Sequence, residues 1–248
     1  MAVERIDFMR VPLDIVPPED LEQTILELLS REGPQQIMLV SLWDVLRARR
    51  RGEFRSMVTS AALVLPVSKS LIRGAAFLKK KKPVRYYPFS LLISVLGTLE
   101  KYYKTLYLLG GQHRSLMQAE RNVRSTFPHL GIVGRFAGGY HRTMEKNILT
   151  AIAKAQPSLV LIGDRMPGGQ RWVHRNRKNF RTGIFLWSRD VIDVFSDRKR
   201  RVSEKTFERG LEYFPLLLKN PLRFFRIFQY LWYNILLLAY RIFRTARS

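Results

Sequence analysis

Few ionisable side chains of this chain have the type and spacing that catalysis or metal binding requires. There is no cysteine, which excludes a thiolate nucleophile, a zinc–thiolate site and a disulfide framework, and is compatible with a reducing compartment. The histidines are His113, His129, His141 and His174, and their wide separation does not match metal-ligand spacing. We therefore predict that the protein uses no metal and no other cofactor.

Two side chains are placed where a general base could act. Asp164 follows an apolar run at 158–163, and ligands of open parallel sheets bind beyond the carboxyl ends of the strands. His141 follows Gly139 and Tyr140, and a histidine changes its protonation state near neutral pH. The alternative for each residue is a local hydrogen bond without a catalytic role.

The charge of the chain indicates a polyanionic partner. With 43 Lys and Arg residues against 20 Asp and Glu residues, the formal net charge is +23, far more than solubility needs. Nucleic acid, an anionic membrane surface and a phosphorylated substrate all match such a charge. Basic residues cluster at 47–51, 79–82, 171–181 and 198–201, but no helix-turn-helix, zinc or aromatic RNA-recognition signature accompanies them. Nucleic acid is therefore the least favoured partner, and the ordinary interpretation of each cluster is a solvated face.

Short apolar runs alternate with helical segments through most of the chain. Such alternation is typical of an α/β fold, in which helices cover a mostly parallel sheet. The 248 residues, with 46% hydrophobic content, suffice for one sizeable core. The predicted strands are 37–40, 62–65, 106–109, 131–134, 158–163 and 183–186. The predicted helices are 19–29, 42–51, 71–78, 91–103, 115–125 and 143–155.

The character of the sequence changes after about Asp197, so we predict a core at 1–197 and a basic helical appendage at 198–248. In the appendage, apolar residues recur at a spacing of three or four and share one helical face. They are Leu222, Phe225, Phe228, Trp232, Ile235, Ala239 and Ile242. The opposite face carries Lys219, Arg223, Arg226, Tyr230, Tyr233, Arg241 and Arg244.

This basic, aromatic helix predicts contact with an anionic membrane. Its longest charge-free stretch, 227–240, is shorter than the ~20 residues of a spanning helix, so the helix would lie on the bilayer. Residues 1–14 contain charges and no signal-peptide-like apolar run, so the protein would be cytoplasmic, peripheral on the inner face of the cell membrane. The alternative is that the helix packs on its own domain or on a second copy in a homo-oligomer.

Several motifs, each weak alone, occur together in one order. They include Leu-Leu-Gly-Gly at 108–111, Phe-Pro-His-Leu-Gly-Ile-Val-Gly at 127–134, Gly-Tyr at 139–140 and Pro-Ser-Leu-Val-Leu-Ile-Gly at 157–163. In these motifs and their spacing the chain resembles the bacterial N-acetylmannosaminyl and N-acetylmannosaminuronic acid transferases of teichoic acid linkage-unit and enterobacterial common antigen synthesis. The resemblance implies a Rossmann-like core, a UDP-sugar donor, a polyprenyl-diphosphate-linked acceptor, inversion at the anomeric carbon and no metal.

The resemblance also implies roles for individual residues. Without a metal, arginine side chains, backbone N–H groups and helix N-termini must stabilise the departing diphosphate. The residues implied for the donor pocket are Arg85, Gly110, Gly111, Gly139 and Tyr140. The appendage residues expected to meet the acceptor or the membrane are Arg201, Lys219, Arg223, Arg226 and Trp232. The alternatives are tight turns for the glycines, a core position for the tyrosine and solvated charge for the arginines.

The chain departs from the family at positions that carry the chemistry. Val67 stands where the family has the aspartate of Pro-Asp-Gly, and it cannot accept a proton from an acceptor hydroxyl. Ser41 ends the segment that replaces Thr-x-Asn, and Gln170 is displaced by one residue from the family's glutamine. We therefore expect a membrane-associated glycosyltransferase that relies on Asp164 and Gln170 and transfers an N-acetylhexosamine-type sugar. The alternative is a non-catalytic relative that acts as a membrane-bound partner or scaffold.

Overall fold

Six parallel strands form the central sheet of the protein. The computed structural model describes residues 3–201, 203–210 and 226–245, without the side chains of residues 226, 244 and 245. The strands are β1 (Glu4–Phe8), β2 (Val11–Ile15), β3 (Gln35–Val40), β4 (Leu63–Pro66), β5 (Thr105–Leu109), β6 (Gly131–Phe136), β7 (Leu159–Ile162) and β8 (Ile184–Trp187). The sheet has the order β4-β3-β8-β7-β5-β6, while β1 and β2 form a separate antiparallel pair. The fold is α/β and Rossmann-like, as predicted.

The predicted strands agree closely with β3 to β8 because their apolar runs are buried within a layered core. Every side chain of β4 and β7 is buried. In β5, alternate residues pack on opposite faces of the sheet, with Leu108 on one face and Leu109 on the other. β6 differs because it lies at the edge of the sheet, and its side chains are exposed or only partly buried.

Helices cover both faces of the sheet. They are α1 (Leu21–Ser30), α2 (Leu42–Ala48), α3 (Glu53–Thr59), α4 (Lys69–Phe77), α5 (Pro88–Lys101), α6 (His113–Thr126), α7 (Glu145–Ala155), α8 (Arg171–Asn176), α9 (Val191–Phe195), α10 (Glu204–Arg209) and α11 (Arg226–Thr245). Buried side chains of α1, α5, α6 and α9 form the core on one face. On the other face, α2, α3, α4 and α11 pack with β1 and β2, and α7 and α8 form a neighbouring cluster.

The hairpin of β1 and β2 is an element that the sequence patterns did not predict. Its turn contains Met9 and Arg10 at positive φ (55° and 67°), rather than the Asn-Gly or Asp-Gly pair that signals a hairpin. Two hydrogen bonds of 2.6 and 2.8 Å join the Arg5 guanidinium to the fully buried Asp14 carboxylate. That carboxylate also accepts from the Val64 amide at 2.6 Å, so this ion pair fixes the hairpin to β4.

α11 packs on α4 through the face that carries tyrosine side chains. Tyr233 is 1% exposed, and its hydroxyl donates to the carbonyl oxygen of Ser70 at 2.8 Å. Further along both helices, Leu237 is buried beside Gly74, and Arg241 donates to the carbonyl oxygen of Phe77 at 2.6 Å. The contacts advance in the same direction along α4 and α11, so the two helices run parallel. A tyrosine can occupy this buried position because its hydroxyl has a hydrogen-bond partner.

The opposite face of α11 is apolar and exposed. Trp232 is 55% exposed, and the neighbouring side chains on this face share its exposure. They are Phe228, Leu231, Ile235, Leu238, Ile242 and Phe243. Across the described ranges, every helix is too short or too polar to cross a bilayer.

Candidate functional site

The carboxyl ends of the six parallel strands meet at one edge of the sheet, where open α/β sheets bind their ligands. The residues that follow the strands therefore determine what this edge can bind. They are Ser41 after β3, Val67 after β4, Gly110 after β5, Ala137 after β6, Gly163 after β7 and Ser188 after β8.

At the ends of β3 and β4, the polar groups bind one another. The amide and hydroxyl of Ser41 both donate to Asp44 Oδ2, at 2.8 and 2.6 Å, at the start of α2. The buried hydroxyl of Ser68 accepts from the Leu42 amide at 3.2 Å. Val67 lies beside these groups, at the position of the family's aspartate. This position therefore has an apolar side chain, and the nearby carboxylate of Asp44 caps α2.

Arg85 connects the end of β4 to α10. Its Nε donates to the Val67 carbonyl oxygen at 2.9 Å, and its Nη1 donates to the Phe207 carbonyl oxygen at 2.5 Å. The guanidinium also lies 3.6 Å from the centre of the Phe207 ring. Lys69 Nζ donates to the Glu208 carbonyl oxygen at 2.9 Å. Both carbonyls belong to the last turn of α10, so two cations of the core stabilise the negative end of that helix.

Gly110 and Gly111 hold the loops after β5, β6 and β7 together. Their amides donate to the carbonyl oxygens of Phe136 and Asp164, at 2.9 and 3.0 Å. A Cβ atom at Gly110 would lie 2.7 Å from the Asp164 carbonyl oxygen, and one at Gly111 would lie 2.6 Å from Ile192 Cγ2. Both glycines also have positive φ. Their amides bind protein carbonyls, so these glycines contribute to the edge by allowing the loops to approach closely.

Gly139 and Tyr140 lie in the loop after β6. The Gly139 amide donates to the Arg165 carbonyl oxygen at 2.7 Å, and among the described residues a Cβ atom at Gly139 would meet nothing within 4 Å beyond its chain neighbours. The Trp172 indole N–H donates to the Tyr140 hydroxyl and to Glu145 Oε1, both at 2.9 Å. Burial, with the charge of Glu145 adding to it, raises the pKa of Tyr140 to about 12. Tyr140 is therefore a neutral, partly buried group, whereas Gly139 leaves open space.

Asp164 is the predicted general base that follows β7, and it is partly buried. Burial is the main cause that raises the pKa of Asp164 above its ordinary value, and the carboxylates of Asp193 and Asp190 raise it further. Arg165 opposes the shift. The direction of the shift is the one that a general base acting near neutral pH requires.

The other predicted polar groups lie in different surroundings. Gln170 is partly buried immediately before α8, the helix that carries Trp172. His141 is exposed, and its Nδ1 lies 3.0 Å from the hydroxyl of Thr143. The structure therefore places Gln170 immediately before the helix that follows β7 and Asp164, and it places His141 at the surface in a local contact.

Trp187 is a candidate binding residue that the sequence patterns did not single out. It ends β8 at the carboxyl edge, and its buried Nε1 has no hydrogen-bond partner among the described residues. A buried indole N–H without a partner is uncommon, and this makes Trp187 a candidate for a hydrogen bond to a ligand. The signal in the sequence was an aromatic residue at the end of a predicted strand.

The basic run at 198–201 folds against the core. Lys199 Nζ lies 2.6 Å from Asp190 Oδ2. The guanidinium of Arg201 lies 4.8 Å from the centre of the Phe89 ring, beside a cavity of about 690 Å³ between α5, α6 and α9. These contacts attach the beginning of the predicted appendage to the helices of one face.

Two other basic runs border α11. The guanidinium of Arg49, in the run 47–51, lies 5.2 Å from the centre of the Tyr240 ring. The run 79–82 directly follows α4, whose last residue, Phe77, contacts Arg241 of α11. Arg49 and the end of α4 therefore lie beside the second half of α11.

Four more residues were predicted to meet the acceptor or the membrane, and the structure describes the side chain of one of them. Trp232 lies on the exposed apolar face of α11. Lys219 and Arg223 lie outside the described residues, as does the side chain of Arg226.

Comparisons with known proteins agree on one family. The profile of the "Glycosyl transferase WecG/TagA/CpsF family" matches residues 6–248. The N-acetylglucosaminyldiphosphoundecaprenol N-acetyl-beta-D-mannosaminyltransferase of Bacillus subtilis (strain 168) is 23% identical over 177 residues, which cover 71% of this chain and 68% of that protein. The protein of the same name from Bacillus spizizenii (strain ATCC 23059 / NRRL B-14472 / W23) is 22% identical over 180 residues, or 73% and 69% of the two chains.

Proposed function

Because this chain belongs to the WecG/TagA/CpsF family of glycosyl transferases, we propose that it transfers an N-acetylhexosamine-type sugar from a UDP donor to a polyprenyl-diphosphate-linked acceptor in cell-surface glycan synthesis. The observation that carries the proposal is the family match over almost the whole chain. The parallel sheet supports it, since its carboxyl edge is where such folds bind nucleotides. The substrate class is taken from the names of the two relatives, which describe a sugar transfer to a diphosphoundecaprenol-linked acceptor.

In this proposal Asp164 accepts the proton of the acceptor hydroxyl. The hydroxyl oxygen then forms a bond to the anomeric carbon, the bond from that carbon to the diphosphate breaks, and UDP leaves with the electron pair. The raised pKa of Asp164 suits this role, and Gln170 would bind the donor from the start of α8. The donor would lie in the open space at Gly139, next to Tyr140, which packs against the same buried cluster as Trp187.

Arg85 would act mainly as a positioning residue in this site. Its guanidinium is held by the carbonyl oxygens of Val67 and Phe207, so it contributes positive potential from a fixed place near the end of β4. Gly110 and Gly111 would shape the donor pocket through their close packing, because their amides already donate to protein carbonyls.

The test is a transfer assay with UDP-N-acetylmannosamine and an N-acetylglucosaminyl-diphosphate polyprenyl acceptor. Asp164→Asn removes the proposed base, so we expect the rate to fall by about 10²–10⁴-fold while UDP affinity, measured by calorimetry, is retained. Asp190→Asn is the matched control, because its carboxylate is nearby but pairs with Lys199. Equal rates for wild type and Asp164→Asn would exclude Asp164 as the base.

A second candidate function is that of a non-catalytic, membrane-bound partner or scaffold. Val67 in place of the family's aspartate, with Asp44 committed to capping α2, favours it. This alternative predicts no sugar transfer by the wild type in the same assay. Absence of UDP binding at millimolar concentration would also remove the donor site and leave this alternative as the better account.

The exposed apolar face of α11 supports peripheral binding to the inner face of the cell membrane. Its side chains would enter the interfacial region of the bilayer, while the basic runs 47–51 and 79–82 would meet anionic headgroups. Co-sedimentation with phosphatidylglycerol vesicles tests this binding. Trp232→Gln with Ile235→Gln should weaken it strongly, whereas Asn234→Gln, on the same helix, should not. A second copy on this face would instead give vesicle-independent dimers, detectable by light scattering.

A further inference from the structure

A surface groove of about 480 Å³ lies between α7 and the chain that joins α8 to β8. The partly buried side chains of Leu149 and Ala153 form its floor. Gln156 precedes β7 and Arg181 precedes β8, so the groove reaches the amino ends of these parallel strands. The residues assigned to the donor, the acceptor and the membrane are not among its described lining residues, so the groove is separate from the site at the carboxyl edge.

Three exposed cations line this groove, and no carboxylate is among its described lining residues. They are Lys146, Lys154 and Arg181. In the part of the chain that the structure describes, none of their side chains makes a hydrogen bond or an ion pair. Like charges around one groove repel each other, and a bound anionic segment would remove that repulsion.

The basic run 171–181 ends at this groove, and its cations fall into two groups. Arg171 and Arg175 pair with Glu53, so a carboxylate offsets the first part of the run. The cations after them are exposed and form no ion pair with any described residue. They are Arg177, Lys178 and Arg181. A solvated face is the ordinary role of such charges, but here they continue a groove whose other wall, α7, is also cationic.

The spacing of the cations favours an elongated ligand over a single ion. Lys146 and Lys154 are eight positions apart on α7, which is about 12 Å along the helix axis. In an extended peptide, side chains four positions apart lie on one face, about 13 Å from each other. Two carboxylates at this spacing would reach both lysines, and a third would form a bidentate pair with Arg181 on the other wall. The side-chain amide of Gln156 makes no hydrogen bond to a described residue, so it offers a donor and an acceptor to a peptide group.

The composition of the groove and the charge of the chain restrict the partner. No aromatic side chain is among the described lining residues, so a nucleobase or a sugar ring has no face to stack on. A second copy of this chain carries the same formal net charge of +23 and would be repelled. We propose that this groove binds an extended acidic segment of another protein, whose carboxylates pair with Lys146, Lys154 and Arg181. The inference goes beyond the proposed sugar transfer and does not depend on it.

Fluorescence anisotropy with the full chain and a labelled peptide tests this binding. The probe is a peptide of about twelve residues in which glutamate and threonine alternate, so that its carboxylates lie on one face when it is extended. Saturable binding is expected at low salt, and the same peptide with glutamine in place of glutamate should not bind. Lys146→Gln with Lys154→Gln should weaken the Kd by about 25-fold, because an exposed ion pair contributes up to roughly a factor of five. The matched control, Arg114→Gln with Arg121→Gln, removes the same charge from exposed positions of α6, on the opposite face of the sheet.

A second pair of variants separates the groove from diffuse charge. Thr150 is exposed on α7, four positions from both Lys146 and Lys154. Thr150→Glu places a carboxylate between the two lysines, where it would pair with them and compete with the peptide, so binding should be lost. Thr150→Gln adds a neutral side chain of similar size and should bind like wild type, and circular dichroism should show an unchanged fold for both variants. Equal weakening by the control pair on α6, or full binding by Thr150→Glu, would overturn the proposal.

Competition identifies the class of the partner. Phosphatidylglycerol vesicles or a single-stranded oligonucleotide that bind more tightly than the peptide, and lose this binding in Lys146→Gln with Lys154→Gln, would overturn the assignment to an acidic protein segment. Sugar transfer and UDP binding should be the same in these variants as in wild type. A wild type that binds the peptide but transfers no sugar would refute the proposed reaction and support this inference.

Discussion

The docking of α11 depends on the absence of a side chain at position 74. Gly74 lies inside α4 without a positive φ, so in an isolated helix Gly74→Ala would stabilise by about 0.5–1 kcal/mol. In the folded protein the new Cβ would lie 2.2 Å from the Tyr233 hydroxyl oxygen and 2.9 Å from Phe8 Cζ. Ordinary van der Waals contact begins at 3.4 Å, so the buried Tyr233 ring, and with it α11, would have to shift by more than 1 Å.

The free energy that holds α11 on α4 can be worked out from the side chains that α11 buries. Full burial of Tyr233 and of Leu237 contributes about 1.5–3 kcal/mol each, and the hydrogen bond from Tyr233 to Ser70 adds about 1 kcal/mol. A loss of about 4 kcal/mol or more would make local opening of α11 about 10³-fold more frequent. We therefore expect Gly74→Ala to release α11 while the rest of the sheet stays folded.

Hydrogen exchange measured by mass spectrometry is the assay. Peptides from 226–245 should lose protection in Gly74→Ala, while peptides from β5 and β7 should keep it. Gly97→Ala is the control, because this glycine of α5 has no atom within 4 Å of its Cβ position among the described residues, and the change should stabilise slightly. Adding Tyr233→Phe to Gly74→Ala removes the closest atom and should restore part of the protection. Unchanged exchange of α11 in Gly74→Ala would refute the reasoning.

Three further predictions concern buried and paired carboxylates. Asp14→Ala leaves Arg5 and the Val64 amide without their partner, so it should lower the free energy of unfolding by about 3 kcal/mol in urea titrations. Asp7 is exposed, and Asp7→Ala should change this free energy by less than about 0.5 kcal/mol. Burial raises the pKa of Asp164 in the folded state, so stability is lost as pH rises through that pKa. Asp164→Asn should therefore raise Tm at pH 7 relative to wild type, and the gain should vanish below the usual aspartate pKa; a constant gain at all pH values would contradict this. Hydrogen bonds from Arg175 lower the pKa of Glu53 to about 2, so this pair stabilises above the usual glutamate pKa and loses its effect as pH falls toward 2. Glu53→Gln should lower Tm at pH 7 but not at pH 2, as thermal unfolding followed by circular dichroism would show.

The central sheet could be predicted from the sequence because burial on both faces leaves a simple pattern. Runs such as 106–109 and 159–162 contain only hydrophobic side chains, as expected of strands that are covered on both faces. The hairpin of β1 and β2 could not be predicted in the same way. Its turn uses Met9 and Arg10 at positive φ, and its attachment depends on an ion pair between residues nine positions apart.

The candidate site was predicted in its parts but not in its contacts. Asp164 and Gly139 follow strands, so their place at the carboxyl edge comes directly from the order of the elements. One partner of Arg85 is Phe207, 122 positions away in sequence, and no local pattern connects the two. The orphan indole of Trp187 is likewise a property of the packed fold, since hydrogen-bond partners in space are not visible in a linear pattern.

The buried contact between Tyr233 and Gly74 has a consequence for the entropy of the proposed membrane binding. An amphipathic peptide that folds as it inserts must lose backbone freedom of about 1–2 kcal/mol per residue at that moment. α11 is already helical and held in one orientation on α4, so its residues lose this freedom when the protein folds. If α11 binds the membrane as proposed, its exposed apolar face would reach the bilayer preorganised, and its burial would contribute to binding with little loss to ordering.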